Sequence, residues 1–150
     1  MRLVIQRVVR SSVSIFGKVH ASIGRGMTVL AGFEDHDTEE DILWACHKIL
    51  NLRIFDNENG VMDLPVGEIC GEILIISQFT LFASTRKGNR PSYIRAARPD
   101  ISRPLYDRFI REMSGLYCGH VKSGIFGSDM KVEILNDGPV TIIIDTKQRE

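Results

Sequence analysis

The sequence predicts an α+β domain, with antiparallel or mixed sheets forming a barrel-like core and two helices packed outside. Three observations support this. Short β-branched apolar runs, bounded by Gly, Asn, Asp or Pro, recur along the chain, as strands and turns do. Two stretches, near 39–54 and 99–116, instead space their apolar residues three and four apart, as amphipathic helices do. A length of 150 residues, 43% hydrophobic and 25% charged, suits one globular domain spanning 1–150.

Residues 2–15 read as a long first strand. Its apolar residues slip phase at Val8-Val9, which predicts a bulge. Phe16-Gly17-Lys18 and Gly24-Arg25-Gly26 read as turns around a second strand at 19–23. The apolar run 27–33 (MTVLAGF) is a buried third strand, and the three would form an antiparallel meander. Asp37 or Thr38 can cap the first helix, whose acidic first turn suits the positive end of its dipole. Ile42, Ala45, Cys46, Ile49 and Leu50 form its apolar stripe, and it stops near Ile54. A turn at 56–60 leads to a short edge piece at 62–65.

Residues 72–81 read as a core strand ending in Ser77-Gln78-Phe79-Thr80. Residues 83–97 form a long loop rich in Arg, Ser and Gly, a length that itself suggests a role. The second helix spans 99–116, with Pro104 fitting its first turn and Leu105, Phe109, Ile110, Met113 and Leu116 as its stripe. A short strand near 120, a turn at 124–127 and a strand at 130–135 follow. Asn136-Asp137-Gly138-Pro139 reads as a turn before a last strand at 140–145.

The formal net charge is zero but the charge is segregated. Residues 33–72 carry eleven acidic and two basic side chains; residues 73–111 carry eight basic and two acidic. Such blocks are ordinarily solvated faces, yet a basic one can steer a polyanion. Cys46, Cys70 and Cys118 are odd in number and far apart, and the N-terminus lacks an apolar signal core. Reduced thiols and a cytoplasmic location are expected. No apolar run approaches the length that spans a bilayer. Cys118-Gly119-His120 offers two ligands where a structural zinc needs about four, so no metal and no cofactor are expected.

Two nucleophile and phosphate motifs are missing. There is no Gly-x-Ser-x-Gly elbow, and the glycines at 24–26 and 124–127 are too sparse for a phosphate loop. Two other stretches can carry chemistry. Ser77, Gln78, Phe79 and Thr80 stand where a core strand leaves the core, able to aim side chains and free N–H groups at one point. Two preorganised N–H donors suit the oxyanion of an ester. Read plainly, the same residues are a strand with one polar face. Gly138-Pro139 reads plainly as a hairpin turn, but Gly-Pro takes the cis form more readily than other pairs. That form would turn two successive carbonyls to one side, a backbone acceptor pair suited to an ammonium group.

SQFTL at 77–81 and NDGPVT at 136–141 together resemble the paired signatures of the D-aminoacyl-tRNA deacylases, the D-tyrosyl-tRNA deacylase family. Gln6-Arg7-Val8, the helix start at 37–41, the run 48–55, the loop 85–92 and the run 124–130 fit the same pattern over the whole chain. Ser11-Ser12 departs from it, standing where the family commonly has a small apolar residue. The resemblance implies a cytosolic homodimer that hydrolyses the ester of D-aminoacyl-tRNA, or of mischarged glycyl-tRNA. It implies that Gly138-Pro139 enters the other subunit's site, takes the substrate ammonium on its carbonyls and excludes L side chains. The Phe79 backbone would face the scissile carbonyl. Ser77 and Gln78 would shape the adenosine pocket, Phe126 and Met130 would wall it, and Arg7 would brace the Gly138-Pro139 loop. Thr80 could be a nucleophile, although catalysis by the tRNA 2′-OH fits better, because no base stands ready to activate it. Arg86, Lys87 and Arg90 would guide tRNA. A non-catalytic RNA-binding module using Arg86, Lys87, Arg90, Arg95 and Arg98 is the alternative, and a plain structural dimer a third reading.

Overall fold

The computed structural model describes residues 1–149. Its strands are β1 (Arg2–Ile15), β2 (Lys18–Ile23), β3 (Gly26–Gly32), β4 (Phe55–Asp56), β5 (Met62–Leu64), β6 (Glu72–Ser77), β7 (Val121–Ser123) and β8 (Met130–Asp145). The helices are α1 (Glu39–Asn51) and α2 (Pro99–Leu116). The main sheet runs β2-β1-β3-β6-β7, with β8 also paired to β1. Lys122 Nζ on β7 reaches the Ser22 carbonyl on β2 at 2.6 Å, so the mixed sheet curls into a nearly closed barrel.

β6 shows why its apolar residues run without alternation: both faces of the sheet are buried. Ile73 and Ile75 join Leu3, Ile5 and Val29 beneath the helices, against Ile42 and Ile49 of α1 and Phe109 and Met113 of α2. Leu74 and Ile76 point the other way, into a second cluster with Val8, Val13 and Ile23. Phe33 sets its ring edge-on to Tyr106 and Phe109, both at 6.4 Å.

The expected meander does not form. β2 and β3 both run antiparallel to β1 in one continuous register, with Ser11 opposite Ile23 and Val8 opposite Gly26. Gly24-Arg25 is therefore a jog within one long arm of a hairpin. At fourteen residues, β1 is long enough to hold both segments, and that length decides the matter. Likewise, Asn136–Pro139 does not reverse the chain: β8 continues through it, paired to β1 on both sides. The bulge expected in β1 is present, with Val9 unpaired between Val8 and Arg10.

Thr38, rather than Asp37, caps α1, in a reciprocal capping box with Asp41. Asp37 instead accepts from the buried Met1 ammonium. The helix ends at Asn51, three residues before the expected stop. Pro99 occupies the first turn of α2; Pro104 lies inside the helix, on its exposed side. The inward stripe of α2 is Ser102, Tyr106, Phe109 and Met113, whereas Leu116 is largely exposed.

Burial alone would raise the Asp41 carboxyl, but hydrogen bonds from Lys147 and from the Thr38 N–H and hydroxyl outweigh it and hold it at about 2. An unfolded aspartate titrates near ~3.9. Because the folded value is the lower one, Asp41 stabilises the fold above about pH 4 and loses that contribution as pH falls toward 2. Asp41→Asn is expected to cost about 2 kcal/mol at pH 7. It should also flatten the acid limb between pH 4 and 2, read from urea melts across that range.

Candidate active site

The first wall of the site is made where two parallel strands end together. β3 and β6 pair through Ala31 and Ser77. Gln78 then donates its N–H to the Ala31 carbonyl at 2.7 Å, and the chain leaves the ladder. Residues Phe79–Phe82 form a 3₁₀ turn, not the continued strand expected to residue 81. The cause lies in β3: a Cβ on Gly32 would stand 2.8 Å from the Gln78 carbonyl oxygen and 3.2 Å from Leu81 Cβ. Only bare backbone there lets the turn fold over the strand end.

The turn leaves its first donors open, as helix starts do. Among the described residues, the Phe79 and Thr80 N–H groups have no hydrogen-bond acceptor. The Gln78 side-chain amide donates to Thr80 Oγ1. That amide takes no proton, so Thr80 has no base beside it. The Phe79 ring is 57% exposed and meets Tyr93 edge-on, at 5.1 Å and 70°.

The second wall follows β7, the parallel neighbour of β6. Gly124 donates to the Ile75 carbonyl at 2.9 Å, and the chain turns through Phe126 into Met130. The Tyr106 hydroxyl pins this corner, donating toward the carbonyls of Ile75 at 3.0 Å and Gly124 at 3.3 Å. Burial drives its pKa well above the ordinary range, so it remains a donor. Phe126 lies between Tyr106, at 5.8 Å, and the Arg103 guanidinium, at 5.1 Å. A cavity of about 610 Å³ opens between the walls, lined by Ser77, Gln78, Phe79, Phe126 and Met130, with Tyr93 and the start of α2 at its side.

Gly138 and Pro139 do not line this cavity. They form a bulge on β8: Gln6 pairs with Thr141 and Val8 with Asn136, so four residues stand opposite Arg7 alone. The Gly138–Pro139 bond is cis. Arg7, itself buried, fastens the bulge from beneath. Its Nε donates to the Asp137 carbonyl at 3.2 Å and is ion-paired with the Asp137 carboxylate at 3.2 Å. Its Nη1 donates to the Ile54 carbonyl at 2.8 Å and to Asp56 at 3.2 Å. From Arg2, which touches the Leu81 carbonyl beside the first wall, to Arg7 is five residues of strand, roughly 16 Å.

The basic loop is closed at its neck by paired hydrogen bonds between Ser84 and Ser92, at 2.8 and 2.9 Å. Arg86, Lys87 and Arg90 lie exposed at its tip, with no carboxylate partner among the described residues. Arg95 pairs with Glu34 at 3.9 Å and Arg98 with Asp100 at 2.9 Å. All three cysteines are free; burial first, and Glu112 second, push Cys46 up to about 12. No group of three or more metal-ligating side chains gathers among the described residues, nor is any helix long and apolar enough to cross a membrane. Sequence reasoning missed Tyr93, Arg103 and Tyr106; the one signal was an aromatic, Tyr93, standing within the basic loop.

The chain is similar over its full length to proteins named D-aminoacyl-tRNA deacylase. The one from Bacteroides thetaiotaomicron is 59% identical and that from Flavobacterium johnsoniae 52%, with 100% of each chain covered. A solved structure named c-Myc DNA Unwinding Element Binding Protein superposes with a TM-score of 0.92 at 39% identity, covering 97% of this chain and 98% of that one. A probable eukaryotic D-amino acid tRNA deacylase shares the fold, with a TM-score of 0.79 at 22% identity over 95% of this chain and 97% of its own. The family model described as D-Tyr-tRNA(Tyr) deacylase matches residues 4–145, and with relatives this near over their whole length the chain belongs to that family.

Proposed function

We propose that this protein hydrolyses the ester of D-aminoacyl-tRNA, and of mischarged glycyl-tRNA, as a cytoplasmic proofreading homodimer without a cofactor. The observation that carries this reading is the Phe79 N–H, without an acceptor among the described residues, on a residue that walls a cavity together with Ser77, Gln78, Phe126 and Met130. Water adds across the ester: the acyl C–O bond breaks, the amino acid leaves as its carboxylate, and the ribose oxygen regains a proton. The carbonyl oxygen gains negative charge on the way, and fixed N–H donors stabilise it. An aminoacyl ester is already labile, so holding it in place contributes much of the rest. The tRNA 2′-OH assists the proton transfers.

Gly138 and Pro139 of one protomer enter the cavity of its partner. Their carbonyls accept the substrate α-ammonium, and their bulk leaves no room for an L side chain, so selection works by exclusion. Arg7 supports this by fixing the bulge to β1 and β4. β8 supports a second copy of the chain: among the described strands it pairs with β1 alone, and Ile143 is 75% exposed. Arg86, Lys87 and Arg90 hold the tRNA backbone.

Purified protein is expected to release D-tyrosine from D-tyrosyl-tRNA and to spare L-tyrosyl-tRNA. Equal rates on both, or none on either, would sink the reading. Thr80→Ala should keep substantial activity, since no base activates that hydroxyl; complete loss in a folded variant would make Thr80 the nucleophile. Salt-sensitive tRNA binding without ester cleavage would favour the RNA-binding module instead.

A further inference from the structure

We infer that Tyr93 is a positioning residue for the deacylation, holding the Phe79 turn in register with the cavity from the neck of the basic loop. This rests on Phe79 being the oxyanion donor. Tyr93 directly follows the Ser84–Ser92 pair that closes the loop. Its carbonyl accepts from the Ala96 N–H at 2.9 Å, and Ala97 donates to the Phe33 carbonyl at 2.9 Å. Phe33 in turn follows Gly32, the residue over which the 3₁₀ turn folds. Tyr93 is thus tied on both sides to the scaffold, although it stands in a long loop.

Its ring does two things from that position. It lines the cavity, and it sets its edge against Phe79 at 5.1 Å and 70°, a favoured aromatic geometry. The Phe79 side chain is otherwise more than half exposed, so little else fixes that residue. A turn with open N–H groups is useful only if those groups point to one place, and the Tyr93 edge limits how Phe79 can tilt. The Tyr93 hydroxyl has no hydrogen-bond partner among the described residues, so the ring acts by shape. The same segment joins the cationic tip to the cavity: the Ser84–Ser92 pair stands between Arg86, Lys87 and Arg90 and the aromatic contact.

The test is steady-state deacylation of D-tyrosyl-tRNA by the full-length protein. Tyr93→Ala is expected to lower kcat about five- to tenfold, the worth of one aromatic edge contact, with KM changed by less than about twofold. Tyr93→Leu, which keeps bulk without the ring geometry, should lie between, and Tyr93→Phe should restore kcat. Removing the tip charges together (Arg86→Ala, Lys87→Ala, Arg90→Ala) should instead raise KM and weaken its salt dependence. An unchanged kcat in Tyr93→Ala or Tyr93→Leu overturns the inference, and so does equal loss in Tyr93→Phe, which would assign the effect to the hydroxyl. Wild-type protein inactive on D-tyrosyl-tRNA would sink the functional reading itself, a result distinct from either.

Discussion

Phe79→Pro is expected to lower the deacylation rate on D-tyrosyl-tRNA about 10²- to 10³-fold, the usual loss when one preorganised oxyanion donor is removed. Proline deletes the N–H together with the ring that meets Tyr93. That N–H has no acceptor among the described residues, so no hydrogen bond between them is broken. Gln78, the preceding residue, sits at φ −144° and ψ 81°, outside the helical region that a following proline disfavours. The fold should therefore melt within a few degrees of the parent. Phe79→Leu is the control: it keeps the donor and loses the aromatic edge against Tyr93, so it should resemble Tyr93→Ala rather than the proline variant. Single-turnover hydrolysis separates these outcomes. A proline variant as fast as the leucine variant would show that the charge developing on the substrate is met elsewhere.

Gly138→Ala is expected to lower the same rate about a hundredfold, with a smaller effect on stability. Gly138 holds φ +113°, where a side chain is strained. An added Cβ would stand 3.0 Å from Arg7 Nη2 and 3.0 Å from Val140 Cγ2. Arg7 is held by Ile54, Asp56 and Asp137 and has little room to yield, so the bulge must shift. A displacement near 1 Å in a group that positions substrate costs roughly 10² in rate. Stability should fall by about 1–3 kcal/mol, read from chemical denaturation. Mixing this variant with Phe79→Pro and allowing exchange tests the cross-subunit reading. Each mixed dimer would hold one intact site, giving about a quarter of wild-type activity from a random mixture. If each site were built within one protomer, mixing would restore nothing.

The sequence revealed the strands, the helices and the two site stretches well, and their connections poorly. Ile73 to Ile76 announced a buried strand because both of its faces meet apolar clusters, and hydrophobicity is written residue by residue. Gly24-Arg25-Gly26 and Asn136–Pro139 look like turns in the sequence because turns and bulges draw on the same residues, those that accept unusual φ or lack an N–H. Whether the chain reverses there depends on β1, which lies outside both stretches and pairs alongside each of them. The end of β6 shows the same limit. Nothing in SQFT stops a strand; Gly32, on a neighbouring strand, makes room for the 3₁₀ turn. Tyr93 was missed for a related reason, since its contact with Phe79 spans a loop whose path no local pattern encodes.

The bulge opposite Arg7 bears on how this protein can change over generations. What it presents outward at Gly138 and Pro139 is main chain, fastened from within by one guanidinium to two carbonyls and two carboxylates. A point mutation cannot delete a backbone carbonyl. Drift in the surrounding side chains therefore leaves the presented surface intact, and only substitutions that bend the chain itself, at Gly138, Pro139 or the Arg7 anchor, reach it. A surface written in the backbone is sheltered from most single-nucleotide changes in its own gene, and under the proposed function that shelter would extend to the chiral selection itself.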